Sequence, residues 1–132
     1  MLTVDANVWV AALDADDAMH ASSLRFLETV RDRGIALFGP GLLLVEAACA
    51  VARRRDDAGA ALSAAATLRR VTALRLLAHD AELEAGALEL GARLRLRGAD
   101  SYYVAVAARE RTPLITWDAE SVGSPPMVDS KS

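Results

Sequence analysis

Apolar positions along the chain fall into short runs separated by longer periodic stretches. Leu2-Thr3-Val4 is an apolar run that stops at Asp5. From about Ala18 to Arg33, Ala21, Leu24, Leu27 and Val30 recur at three-residue spacing and Gly34 ends the pattern, which predicts an amphipathic helix. Ile35–Phe38, closed by Gly39-Pro40, reads as a buried strand. Two helices follow over about 41–55 and 57–72, parted at Asp56-Asp57, and then a strand at Leu74–Leu77. Residues 80–97 form a strong helix with Leu83, Ala87, Leu90 and Leu94 on one stripe and Gly98 as its stop. The apolar segment Tyr102–Ala108 starts like a strand, with aromatic and β-branched residues. Its Ala-rich continuation and Asp-Ser start favour a buried helix opened by Asp100. Leu114–Trp117, after Pro113, is a strand, and Met127-Val128 is a last short one in a Pro/Ser-rich tail.

Short strands alternating with helices predict βαβ units, hence an α/β fold with a mostly parallel sheet and helices on both faces. No repeat or linker interrupts the pattern, so one domain is expected over 1–122, followed by an irregular tail at 123–132. With 132 residues the chain buries roughly two-thirds of its unfolded surface, and a hydrophobic fraction of 53% excludes disorder. No apolar run is long enough for a membrane span, and no basic stretch precedes the first apolar segment, so a cytoplasmic protein without contact to a membrane is expected.

A single cysteine, Cys49, excludes an internal disulfide and a cysteine-rich zinc site, and is expected in the core. The net charge of −3 gives no bulk electrostatic case for nucleic-acid binding. Of 15 basic residues, 14 are arginine. Arginine suits phosphate contact, but a coding bias toward Ala and Arg explains this enrichment equally directly. Neither G-x-G-x-x-G nor a Walker-type loop occurs, which lowers the rank of nucleotide-cofactor enzymes.

Four acids stand where acids are unexpected. Asp5 follows an apolar strand, and Asp118 follows Thr116-Trp117 at the end of another; in a parallel sheet, ligands bind at such carboxyl ends. Helix capping accounts for either acid taken singly. Glu46 lies on a helix with Leu42, Leu43, Cys49 and Ala50 three and four residues away, so its carboxylate must be paired, protonated or metal-bound. A partner arginine is the simplest pairing. Asp100 opens an apolar, central helix, for which an N-cap role again suffices. As a set, four carboxylates directed at one cleft would raise one another's pKa, and a hard divalent cation, magnesium or manganese, relieves that repulsion.

The segments LTVDANVWVA, LLLVEAACAVARR, GADSYYVAVAARE and LITWDAE resemble, in order and spacing, the four signature blocks of PIN-domain ribonucleases, in particular the VapC toxins of bacterial toxin–antitoxin pairs. The resemblance spans residues 1 to about 120. It implies a three-layer α/β/α domain and an Mg2+- or Mn2+-dependent endoribonuclease. It implies further that RNA phosphodiesters are hydrolysed to 5′-phosphate and 3′-hydroxyl ends, that a cognate antitoxin neutralises the activity, and that the chain is a homodimer. Carried over block by block, the metal-binding and catalytic acids are Asp5, Glu46, Asp100 and Asp118, the last being the most variable position in the family. Asn7 and Thr116 fall at positions that orient carboxylates or waters, with local backbone hydrogen bonds as the alternative.

Other features carry less. His20 and His79 lack ligand spacing. Asp14, Asp16 and Asp17 suggest a calcium loop but lack its glycine and its twelfth-position acid, so a solvated helix entry is expected. Arg93 and Arg97 extend an i,i+4 ladder from Glu89. Arg53, Arg54, Arg55, Arg69 and Arg70 face RNA phosphates, an acidic antitoxin or solvent. Leu44, Leu62 and Leu68 mark a candidate dimer or antitoxin surface. Three competing functions remain: a non-catalytic PIN-like scaffold, a DNA-cleaving relative, and a phosphatase with Asp5 as nucleophile. The last needs an acid where Asn7 stands.

Overall fold

A computed structural model of the chain describes residues 1–118 and 127–129. The chain runs β1 (Leu2–Val4), α1 (Ala6–Leu13), α2 (His20–Asp32), β2 (Leu37–Pro40), α3 (Leu43–Arg55), α4 (Ala58–Arg69), β3 (Leu74–Leu77), α5 (Ala81–Leu94), α6 (Gly98–Glu110), β4 (Pro113–Ile115) and β5 (Met127–Asp129). The strands form one sheet in the order β3-β2-β1-β4-β5. Pairings β1–β2, β1–β4 and β2–β3 are parallel, while β5 runs antiparallel to β4 with Leu114 opposite Val128. The strand order reverses at β1, between β2 on one side and β4 on the other, which is where open α/β sheets bind ligands. This is the mostly parallel, three-layer α/β/α architecture expected.

Helix α6 explains why its sequence is apolar on nearly every side. Tyr103, Val104, Ala105, Val106 and Ala107 are all buried, and the helix packs across β1, β2 and β4. Val4, Val8, Leu43, Ala47 and Leu114 fill the core beside it. Full burial of each leucine stabilises the fold by about 1.5–3 kcal/mol.

Several local features differ from expectation. Helix α1 is not signalled by periodicity, because Val8, Trp9, Val10 and Ala11 are buried in succession and leave no polar face to read. Strand β2 begins two residues later than the apolar run suggests and takes in Gly39-Pro40. Pro40 has no N–H to give and occupies the strand's last position, and the following Gly41 N–H donates to the Leu77 carbonyl. Helix α5 stops at Leu94, where Arg95 takes a left-handed conformation (φ 57°) and donates its N–H to the Gly91 carbonyl. Gly98 therefore starts α6 instead of ending α5. The break between α3 and α4 falls as expected: Asp56 is left-handed and closes α3, while the Asp57 side chain accepts from the Ala60 N–H and opens α4.

Two contacts fix elements that carry the site. A Cβ on Gly91 of α5 would collide with the Ser101 side chain of α6, so the two helices approach as closely as a missing side chain permits. Thr3 of β1 and Thr112, just before β4, share a buried hydroxyl hydrogen bond of 2.6 Å. Strand β5 lies within the 123–132 segment; the remainder of the segment read as an irregular tail is outside the described residues. Among the described residues, no helix is long and apolar enough to cross a membrane.

Candidate active site

Four separate elements deliver the four acids to one cleft. Asp5 follows β1 and Asp118 follows β4, so the parallel pairing of these strands puts both at the same sheet edge. Glu46 lies in the first turn of α3 and Asp100 in the first turn of α6, where the positive end of the helix dipole favours a carboxylate. The cleft has a volume of about 240 Å3 and is lined by Asp5, Asn7, Glu46, Asp100 and Asp118, with Arg53, Arg54 and Arg97 around them. All four acids and Asn7 thus meet, as the sequence predicts.

Asp5 is a capping residue and a cleft acid at once, so the two readings of it do not compete. Its Oδ1 accepts from the Ala6 N–H at 2.7 Å, opening α1, and its Oδ2 accepts from the Thr116 hydroxyl at 2.8 Å. Thr116 is the hub of this edge. Its oxygen also accepts from Asn7 Nδ2 and from the Asp118 N–H, each at 3.0 Å. The Trp117 N–H donates to Asn7 Oδ1 at 3.2 Å, so Asn7 ties α1 to the loop after β4 through both ends of its amide. Thr116 both bonds a carboxylate and accepts from a local backbone N–H, whereas Asn7 bonds the Thr116 hydroxyl and the distant Trp117 N–H. Position 7 offers an amide bonded at both its nitrogen and its oxygen, not the second acid a phosphatase of this type requires.

Glu46 pairs with a phenol, not an arginine. The Tyr103 hydroxyl donates to Glu46 Oε1 at 2.6 Å. Tyr103 sits one turn after Asp100 on α6, so it points to the same side of that helix. That spacing was the available signal for this residue, but its partner is 57 positions away and not legible locally. Asp100 is not the N-cap of α6; Arg97 occupies that position and Asp100 projects from within the first turn. Arg97 therefore belongs to the cleft and not to the α5 ladder, which ends with the Glu89–Arg93 pair at 3.3 Å. Asp118 is exposed at the rim.

Burial dominates the electrostatics. It pushes the Asp5 carboxyl up to about 6, with the Asp100 and Glu46 charges adding to it and the Thr116 and Ala6 hydrogen bonds opposing. Burial also raises Glu46, against its bond from Tyr103, and the Asp100 charge adds to the rise. Asp100 is raised by burial and by Asp118, with Arg97 opposing. Tyr103, buried beside Glu46, is held firmly in its protonated, donating form.

Arg53, Arg54, Arg55 and Arg97 divide into two groups. Arg54 pairs with Asp14 at 2.9 Å and Asp17 at 2.7 Å, and Arg55 pairs with Asp14 at 3.2 Å. The Asp14–Asp17 segment is thus an ion-pair clasp between the end of α1 and α3, not a solvated entry. Arg53 and Arg97 have no ion pair within 4.0 Å among the described residues. His20 binds the Ala11 carbonyl and His79 binds the Tyr102 hydroxyl, both away from the cleft. Cys49 is exposed, contrary to expectation, because Leu43, Ala47 and Val51 form the inner stripe of α3 and Cys49 lies off it. Leu68 is buried and Leu44 half-buried, so of the three leucines proposed for a docking surface only Leu62 is well exposed.

Among the described residues, no three carboxylate, imidazole or thiolate groups converge into a ready-made metal cage. The donor set nonetheless fits a hard divalent cation. It is oxygen-only, its acids are raised by burial and mutual repulsion, and magnesium binds through one or two carboxylates while keeping several waters.

The PIN domain family model matches residues 2–121. The chain belongs to the PIN domain family. No curated protein sequence matches it. Among solved structures, this PIN domain is similar to Mycobacterium tuberculosis VapC20, described as a Sarcin-Ricin loop cleaving toxin, with a TM-score of 0.78 and 23% identity over 91% of this chain and 92% of that one. It is also similar to VapBC2 from Rickettsia felis bound to a DNA fragment from their promoter, with a TM-score of 0.70 and 16% identity over 96% of this chain and 95% of that one. At these identities the likeness is one of fold.

Proposed function

We propose that this PIN domain is a divalent-metal-dependent endoribonuclease acting as the toxin of a toxin–antitoxin pair. The observation that carries the reading is the convergence of Asp5, Glu46, Asp100 and Asp118, from four elements, on one cleft at the strand-order reversal. Asp5, Glu46 and Asp100 would hold Mg2+ or Mn2+, with Asp118 completing the rim. A cation, when bound there, would supply a water of lowered pKa and charge to offset that developing on the phosphoryl oxygens. The chain itself supplies the orientation: Thr116 fixes the Asp5 carboxylate, Asn7 holds Thr116, and Arg53 and Arg97, which line the same cleft, bind RNA phosphates. In-line hydrolysis leaves a 5′-phosphate and a 3′-hydroxyl. The sarcin–ricin loop that the similar VapC20 is described as cleaving is the first RNA to try.

The partners follow from the same reading. A cognate antitoxin would neutralise the activity. Self-association would use the exposed side of α3 and α4, where Val45 and Leu62 are 65% and 71% exposed. The deciding experiment incubates pure protein with a sarcin–ricin loop RNA and with total RNA, with and without Mn2+, alongside Asp5→Asn. Mn2+-dependent cuts bearing 5′-phosphates and absent from the variant are expected. A folded protein that neither binds Mn2+ nor cuts RNA would leave a protein-binding scaffold as the better reading.

A further inference from the structure

The two most deeply placed acids of the cleft are each held at one oxygen by a hydroxyl from a distant element. Thr116 donates to Asp5 Oδ2, and Tyr103 donates to Glu46 Oε1 at 2.6 Å. Thr116 falls at a position the sequence marks; Tyr103 does not. Its ring is 1% exposed and packed in the main core cluster, so the phenol oxygen has a fixed position. A glutamate has three side-chain torsions, and Glu46 is only half-buried, so without an anchor its carboxylate is free to turn away from the cleft.

We propose that Tyr103 is the positioning residue for Glu46: its hydroxyl holds Oε1 and thereby presents Oε2 to a divalent cation in the cleft. The inference rests on the metal-dependent reading of the site. A short O–H···O− bond is among the stronger protein hydrogen bonds and is directional, so it fixes the carboxylate plane as well as its position. Because Tyr103 and Asp100 share one face of α6, the same helix delivers one acid to the cleft and aims another. Any shift of α6 would move Asp100 and the phenol that holds Glu46 together.

The test measures Mn2+ binding to the full chain without RNA, by calorimetry and by the loss of the free Mn2+ resonance signal. Tyr103→Phe keeps the ring that fills the core and removes only the hydroxyl, and a thermal melt verifies that the fold is kept. Mn2+ affinity is expected to fall roughly 10- to 100-fold. With RNA present, kcat is expected to fall while KM for RNA stays near the parent's. In a Glu46→Gln background, adding Tyr103→Phe is expected to change Mn2+ affinity no further, because the phenol acts through that carboxylate. Tyr102→Phe, which removes the hydroxyl bonded to His79 outside the cleft, is expected to bind Mn2+ like the parent. Parent-like Mn2+ affinity in Tyr103→Phe, or an equal loss with and without Glu46, overturns the proposal. If Glu46→Gln itself binds Mn2+ like the parent, it is the assignment of Glu46 to the metal that fails.

Discussion

The Thr116 hydroxyl donates to Asp5 Oδ2 over 2.8 Å, across 111 residues of sequence, and the same oxygen accepts from Asn7 and from the Asp118 backbone. One hydroxyl therefore sets the orientation of the most buried acid and the path of the loop leading to the last one. Thr116→Val keeps the shape and removes all three bonds. RNA cleavage is expected to drop roughly 10- to 100-fold, and Thr116→Ser to retain most of it. Single-turnover rates at saturating Mn2+ check this.

Asp5→Asn is expected to abolish cleavage and to stabilise the metal-free protein. The Asp5 carboxyl titrates at about 6 in the folded state against an ordinary 3.8, so folding favours its protonated form. Stability from this group is complete below pH 3.8 and is lost as the pH rises toward 6. The loss corresponds to about 3 kcal/mol. Asparagine has no charge to desolvate and still caps a helix. In EDTA, the variant should melt higher than the parent at pH 7.5 and alike at pH 3.5.

Arg53 and Arg97 differ from Arg54 in what they are available to bind. Arg53→Ala and Arg97→Ala are each expected to weaken RNA binding and to reduce the slope of log affinity against log salt by about one. Filter binding to catalytically silent Asp5→Asn protein across a salt series measures this.

Arg54→Met is expected instead to lower thermal stability, because Arg54 is committed to Asp14 and Asp17. The bond from Arg54 holds Asp14 below the usual carboxylate range; Asp17 is lowered by the Met19 N–H and by Arg54. Groups lowered in this way stabilise the fold above their ordinary pKa and lose that contribution as the pH falls through the folded value. The melting difference between parent and variant should therefore be present at pH 7 and shrink below about pH 4.

Gly91→Ala would force a methyl group into the Ser101 side chain. A destabilisation of roughly 1–3 kcal/mol is expected, with reduced cleavage, because α6 must move and Asp100 moves with it. Ser101→Gly in the same chain should restore both melting temperature and activity.

The strand pattern and the four acids were legible because each is a local signal: apolar runs end at Asp5 and near Asp118, and Glu46 and Asp100 interrupt apolar helices. Helix α1 was hidden because burial on every side erases the helical period. The glycine signal puts the stop of α5 at Gly98, but a left-handed arginine, Arg95, ends the helix three residues before it. Tyr103 and the Asp14–Arg54 clasp were unreadable for another reason. Each depends on a partner about 40 to 60 residues away, and only the packed fold decides which tyrosine or which arginine arrives.

Strand β1 sits at the centre of the sheet, yet it is made before every other described strand, and its second neighbour, β4, is among the last described segments to be made. Through most of synthesis one edge of β1 lacks its partner and Asp5 lacks Thr116. Non-local pairing of this kind closes late in folding. A nascent chain stalled before Pro113 would carry three of the four acids but not the hydroxyl that orients the first. The cleft proposed to cut RNA therefore stays unassembled while the chain that carries it is still being made.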